Sequence, residues 1–283
     1  MRYCHAALLL LAVVACGGEG PKVALRYHPP TGAAYHYALE QRTQVNIASG
    51  PLAAMGKQQL FMRMPFTQTV KGSASGGGTE VEVVFESMTM EIPGVSPHLI
   101  ARELAKMNGL RSTVVYDDRA QIVRNDFAPA PGLRPDMVKQ MKTSIKALTF
   151  AFPDHPVGRG DSWTVTTELP LSQVPGANAA EAGPARTTLT VREIRIAGSD
   201  TSVVLDLKTT FPSGPIHLTF GGQQGTLKLE GELVGHQQFS ISRGAILDGT
   251  VKGTTKMNIS AAIFGSKAMS VLADTESSIF LLP

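Results

Sequence analysis

The sequence predicts a mainly β (α+β) protein. The expected architecture is a long, strongly curved antiparallel sheet or two packed meanders, half-barrel-like, with two helices from the first half packed on the sheet. Three observations predict it. Apolar and polar residues alternate with period two over most of the chain after Val23. Capped, helix-period patterns stand at two places, around 97–107 and 135–148. Gly231, Gly235, Gly249 and Gly253 sit inside strand-like runs, where interior glycines weaken flat strands and mark the bends of curved ones.

The elements follow in chain order. From Tyr35 to Ile47 the odd positions are mostly apolar and the even ones mostly polar, as in a half-buried antiparallel strand. A second strand, 57–72, puts Leu60, Met62, Met64, Phe66 and Val70 on one face, and Pro65 inside it predicts an edge position or a bulge. A third, 79–92, starts with Val81, Val83 and Phe85 on one face and continues with Met88, Met90 and Ile92 on the other. That phase slip predicts a bulge. Ser96-Pro97 opens the first helix and Asn108-Gly109 stops it, with Ile100, Leu104 and Met107 along one side. A hairpin over 111–125 turns at Asp117-Asp118. The second helix, Pro135 to Leu148, carries an apolar stripe of Met137, Met141, Ile145 and Leu148.

The turn-rich stretch Phe152–Trp163 is the expected boundary between two halves, 23–152 and 153–283, packed together as one unit. A strand over 162–171 and an exposed loop over 172–185 come next. The rest reads as a meander. Val203, Leu205, Leu207 and Phe211 share a face, as do Leu227, Leu229 and Leu233, then Phe239 with Ile241, then Leu247, Val251, Met257 and Ile259. A last strand covers 267–281.

Composition narrows the function. The chain has 283 residues, 26 Lys+Arg, 23 Asp+Glu and a net charge of +3, without the basic stripe that nucleic-acid binding requires. No two histidines show the i, i+4 spacing of a helical metal site. Gly72–Gly76 places Ala74 where a nucleophile elbow needs serine, and Gly221–Gly225 lacks the Lys-Ser/Thr of a phosphate loop. With no paired carboxylates at readable spacing, no catalytic residue, metal ligand or cofactor is expected. Met62, Met64, Met88, Met90, Met137 and Met141 fall on apolar faces, where methionine fills irregular cores and adaptable pockets alike. Five Tyr and one Trp cannot build the two aromatic girdles of an outer-membrane barrel.

The N-terminus gives the clearest address. Arg2 precedes an apolar run over residues 6–15, too short for a spanning helix of about 20 residues and suited to a secretory signal. The end of that run, Val13-Val14-Ala15-Cys16, resembles the bacterial lipobox. The resemblance implies cleavage after Ala15, a signal peptide over 1–15, and acylation of Cys16, which becomes the new N-terminus. Two or more acyl chains hold a protein stably to a bilayer. Gly17, where the family's sorting rule reads Asp as inner-membrane retention, implies the outer membrane, facing the periplasm. The tether occupies residues 16–22, and its stretch Gly17-Gly18-Glu19-Gly20-Pro21 reaches less than about 20 Å. The mature body then has no thiol.

The stretch Phe152-Pro153, Pro156-Val157, Gly160-Asp161 and Trp163 resembles the F-P-x-x-P-V-x-x-G-D-x-W segment of uncharacterised bacterial lipoproteins classed as domains of unknown function. The predicted curved sheet with helices is similar to the periplasmic lipoprotein carriers and receptors, whose half-barrels hold acyl chains. Two readings follow. One is a non-catalytic, lipid-anchored envelope lipoprotein with a structural role or an envelope protein partner. The other is a carrier of a hydrophobic ligand, a lipid or acyl chain, in the concavity, lined by Met137, Met141, Ile145 and Leu148. The second requires a cavity of at least about 300 Å³ under that stripe.

Overall fold

The structure, a computed structural model, describes residues 20–50, 53–130, 132–133, 135–147, 150–169, 183–212, 214–220, 223–261 and 268–283. The expected signal peptide with Ala15, the expected lipidation site Cys16, Leu148 and most of the expected 172–185 loop lie outside them. The chain begins with β1 (Ala34–Ser49), a short 3-10 turn (Ala53–Met55) and β2 (Lys57–Ser73). Next come β3 (Thr79–Phe85), β4 (Thr89–Glu91), α1 (Pro97–Ala105), β5 (Arg111–Tyr116), β6 (Ile122–Phe127) and α2 (Pro135–Ala147). The second half holds β7 (Ser162–Thr167), β8 (Ala185–Ala197), β9 (Asp200–Thr210), β10 (Ile216–Phe220), β11 (Gln223–Ser240), β12 (Ala245–Ala261) and β13 (Met269–Leu281).

All of these strands join one curved antiparallel sheet in the order β6-β5-β3-β2-β1-β13-β12-β11-β9-β8-β7, with β4 also on β2 and β10 on β11. The single sheet replaces the alternative of two packed meanders. Its seam is the pairing of the first strand with the last, from Tyr37↔Leu281 to Ser49↔Ser270. Each half is a meander that starts or ends at that seam.

Three local readings are corrected. The 79–92 stretch is two strands on different stretches of β2. β3 pairs Phe66 to Ser73, and β4 pairs Phe61 to Arg63. Consequently β2 is interior, not an edge. Pro65 sits where its neighbour changes from β4 to β3, and its carbonyl accepts the Glu86 N–H at 3.0 Å. The N–H that proline lacks would point to that same side, so the pairing with β1 through Ala38 is kept and only a reciprocal bond toward Glu86, just past the end of β3, is forgone. In β12 the pairing shifts between Gln238↔Asp248 and Phe239↔Ile246. This bulge makes Ile246, rather than Leu247, the residue packed against the core.

The sheet curls until its two wings share one core. Val81, Val83, Phe85, Val114 and Tyr116 from the β3–β5 wing join Leu189, Val191, Val203, Leu205 and Leu207 from the β8–β9 wing in a single buried cluster. Two chain segments bridge the wings. Val23 pairs with Val157, Arg26 donates to the Pro153 carbonyl at 2.9 Å, and Phe152 packs on Phe239 with ring centroids 4.8 Å apart. Leu25 and Val157 are sealed beneath them. The Phe152–Trp163 stretch is therefore a strap. The Gly158 N–H donates to Asp161 Oδ2 at 2.9 Å, and Trp163 Nε1–H donates to the Ala151 carbonyl at 2.9 Å.

The curvature has a covalent reason on β11 and β12. A Cβ on Gly235 would lie 2.0 Å from the Thr250 carbonyl oxygen, and one on Gly253 2.0 Å from that of Glu232. Only glycine lets these backbones approach so closely. The helices flank the sheet. α1 lies by β4 with no buried residue. α2 lies by β6 and sends Met141 and Ile145 against the main core.

Candidate functional site

The strand registers sort the side chains onto two faces of different chemistry. The core residues Tyr37, Leu39, Phe66, Leu205, Phe239 and Ile279 mark the inner face. Following the pairings from them, the inner positions include Gln41, Thr43, Val45 and Ile47 on β1, and Gln58, Leu60, Met62 and Met64 on β2. On β13 they are Met269, Val271, Ala273, Thr275 and Ser277. On β12 and β11 they are Val251, Gly253, Thr255, Met257 and Ile259, opposite Gly235, Leu233, Gly231, Leu229 and Leu227. Among the described strand residues, none of these inner positions holds Asp, Glu, Lys, Arg or His.

The charges stand on the outer face and pair there. Glu40 meets Arg63 at 3.5 Å, Lys208 meets Glu232 at 2.7 Å, and Arg192 bonds Asp206. Glu82 holds Lys71 at 3.1 Å and Arg111 at 3.3 Å. The Lys71 hydrogen bond, ahead of other causes, holds the Glu82 carboxyl below the usual range. Among the histidines, His36 bonds Thr67 at 3.0 Å, His155 bonds Asp154 at 2.8 Å, and His236 stands 3.8 Å from Asp248. All three are surface contacts.

The inner face differs along its length. At the proximal end, where the straps cross, the interior is packed. Beyond it the strands run on, and Val45, Ile47, Leu60, Met62, Met257, Leu229 and Val271 are only half-buried. A smaller cluster of Ile216, Leu218, Leu227 and Ile259, with Leu169, Met257 and Met269 against it, lies at the distal end on the β10–β11 side. From Gly249 to Ile259 this inner trough measures about 33 Å at about 3.3 Å per residue.

A cavity of about 100 Å³ lies in the packed end, and its wall reaches Leu205, Gln237 and Ile279, one row before the trough side of the inner face. Its lining includes Tyr27, Tyr37, Tyr116, Phe150, Phe152, Phe239, Leu205 and Ile279, with the amides of Gln68 and Gln237. Burial raises the pKa of Tyr27 and Tyr37 well above the ordinary phenol value, each reinforced by neighbouring phenols, and pushes Tyr116 up to about 12. The hydroxyls are therefore neutral donors across the physiological range.

The structure places the stripe residues elsewhere. Met137 is half-buried on α2, Met141 and Ile145 are half-buried against the main core, and none of the three lines this cavity. Its volume also falls short of the 300 Å³ set for a ligand pocket under that stripe. A second cleft of about 600 Å³ surrounds the β5–β6 turn, with Tyr27, His28, Ser73, Asp117 and Asp118 along it. Both carboxylates there are already committed. Asp117 accepts the Arg119 and Gln121 N–H groups at 3.0 and 2.8 Å, and Asp118 faces Arg26 at 3.4 Å.

Sequence reasoning missed the polar members of the 100 Å³ cavity. A signal existed for two of them, since Gln68 and Gln237 occupy the apolar phase of their strands. Tyr27 gave none, because it precedes the first strand and its burial depends on the straps.

No protein-family model matches the chain, and no curated protein does. Among solved structures, the chain is similar to one described as lipid–protein interactions in lipovitellin, with TM-score 0.50 and 11% identity over 91% of this chain and 25% of that one. It thus spans about a quarter of the length of that lipovitellin chain. A structure of DynF from the dynemicin biosynthesis pathway of Micromonospora chersina aligns over 93% of this chain and 86% of that one, at 10% identity and TM-score 0.24. What the chain shares with the lipovitellin structure is the fold, a large curved β-sheet.

Proposed function

We propose that this chain is a non-catalytic lipoprotein of the cell envelope, anchored through Cys16 after cleavage behind Ala15, whose curved sheet holds the apolar part of a lipid. The observation that carries the reading is the uncharged inner face, on whose distal half Val45, Ile47, Leu60, Met62, Leu229 and Val271 are only half-buried, beside the buried Ile216, Leu218, Leu227 and Ile259 cluster. A surface of that kind favours hydrocarbon over water by about 25 cal/mol per Å² covered. The lipovitellin structure concerns lipid–protein interactions, and the likeness in fold supports lipid over other apolar ligands. The ligand belongs on the trough rather than beneath Met137, Met141 and Ile145. An anchor at Cys16 on the outer membrane, facing the periplasm, would keep this trough close to a lipid source.

A second reading, an envelope protein with a structural role or a protein partner, draws on the filled proximal core and the small cavity. Native mass spectrometry of the full chain carrying Cys16→Ser, which lacks the acyl anchor, separates the two. Lipid carrying is expected to leave a population heavier by the mass of a bound lipid. Uniformly ligand-free protein after incubation with total membrane lipid would favour the structural reading.

A further inference from the structure

We propose that the tyrosine-lined cavity takes the uncharged, oxygen-bearing end of a neutral lipid, such as an acylglycerol or long-chain alcohol, and disfavours lipids whose polar end is ionised. This rests on the lipid-carrying reading and specifies its ligand class.

Three observations carry it. The first is position. The cavity wall includes Leu205, Gln237 and Ile279. Two residues further along each strand, Leu207, Gly235 and Ser277 occupy the next row of the inner face. Cavity and trough are therefore consecutive stretches of one surface, and a ligand tail in the trough would point its end at the cavity.

The second is unused hydrogen-bonding capacity. Among the described residues, the hydroxyls of Tyr27 and Tyr116 and the amides of Gln68 and Gln237 have no protein hydrogen-bond partner. The Tyr37 hydroxyl lines the same cavity. Among the described residues the one fully buried side-chain polar atom without a partner is Asn125 Nδ2, so these hydroxyls and amides reach open space, where water or a ligand meets them. The space of about 100 Å³ admits about three waters, or a small oxygenated end group.

The third is the charge pattern. No cationic or anionic side chain lies on the inner face among the described strand residues, and the lining phenols stay neutral. A carboxylate or phosphate drawn into this site would lose its hydration without gaining a counter-charge, which costs several kcal/mol. An ester carbonyl or hydroxyl asks only for the hydrogen bonds that the phenols and amides supply.

The test uses the full chain with Cys16→Ser and two probes with the same acyl chain, monooleoylglycerol and oleate, each displacing a bound fluorescent fatty-acid analogue at pH 8. Monooleoylglycerol is expected to bind at least about tenfold more tightly. The pair of substitutions Tyr27→Phe and Tyr116→Phe keeps the rings and removes two donors. It is expected to weaken monooleoylglycerol about tenfold and leave oleate unchanged. Trp163 emission reports that the straps stay in place, and Gln237→Leu supplies an independent variant. Equal binding of the two probes, or selectivity that survives both variants, would mean that the cavity holds only water and overturn the proposal while lipid carrying stands. Failure of both probes to bind would overturn lipid carrying itself.

Discussion

At the scale of single residues, the glycines and tyrosines decide most. Gly253 lies in the middle of β12, where a Cβ would meet the Glu232 carbonyl and the Leu233 Cα at 2.0 and 2.9 Å. Gly253→Val is expected to cost about 1–3 kcal/mol through overpacking. Gly214→Ala, where a Cβ meets nothing within 4 Å, is expected to change stability by less than about 0.5 kcal/mol. Urea unfolding of the two variants checks the contrast. The buried phenols set an alkaline limit. Tyr27, Tyr37 and Tyr116 have folded pKa values above the ordinary phenol value of 10.0, so above pH 10 the unfolded chain binds fewer protons than the folded one. Stability is unaffected below that pH and falls as pH rises from 10 toward the folded values. Absorbance at 295 nm during an alkaline titration is expected to show these three tyrosines ionising only as the protein unfolds. Ionisation of all three in folded protein would contradict their burial.

At the scale of elements, the period-two alternation made most strands legible, because one face is apolar and the other charged over long runs. What stayed hidden is what alternation does not encode. The break between β3 and β4 looks like a bulge in sequence, since both give a phase slip. Only the change of partner along β2 separates them. Pro65 reads as an edge signal, yet it occupies an interior strand at the break between its partners β4 and β3. The strap role of Phe152–Trp163 was invisible for a related reason, because a turn-rich segment gives no sign of what it crosses. The Phe152 ring lies between the wings against Phe239, and Phe152→Ala is expected to destabilise the protein by about 3–5 kcal/mol. Leu99→Ala on α1, a residue that is 48% exposed, is expected to cost far less. Thermal melts of both variants, followed by circular dichroism, test whether the strap closes the core.

At the scale of the whole molecule, the seam between β1 and β13 makes the first and last strands neighbours, and the shared core ties the wings together. The molecule is therefore expected to unfold as one cooperative unit. Trp163 emission, which reports the second half, and far-ultraviolet dichroism, which reports the whole sheet, should give coincident urea midpoints. Two separate transitions would show that the halves are independent. The functional account rests on a further whole-molecule property, that charge is confined to one face of the sheet. Val45 and Gln44 are neighbours on β1 that point to opposite faces, Val45 opposite Ala273 and Gln44 opposite Asp274. Aspartate is poorly suited to either strand position, but only on the inner face would it put a charge where the proposed lipid would lie. The most direct test is to measure lipid retained by full chains carrying Val45→Asp or Gln44→Asp, on the Cys16→Ser background, by native mass spectrometry. Val45→Asp is expected to lose bound lipid while Gln44→Asp keeps it, both remaining folded by Trp163 emission. Retention of lipid by the folded Val45→Asp chain would contradict it.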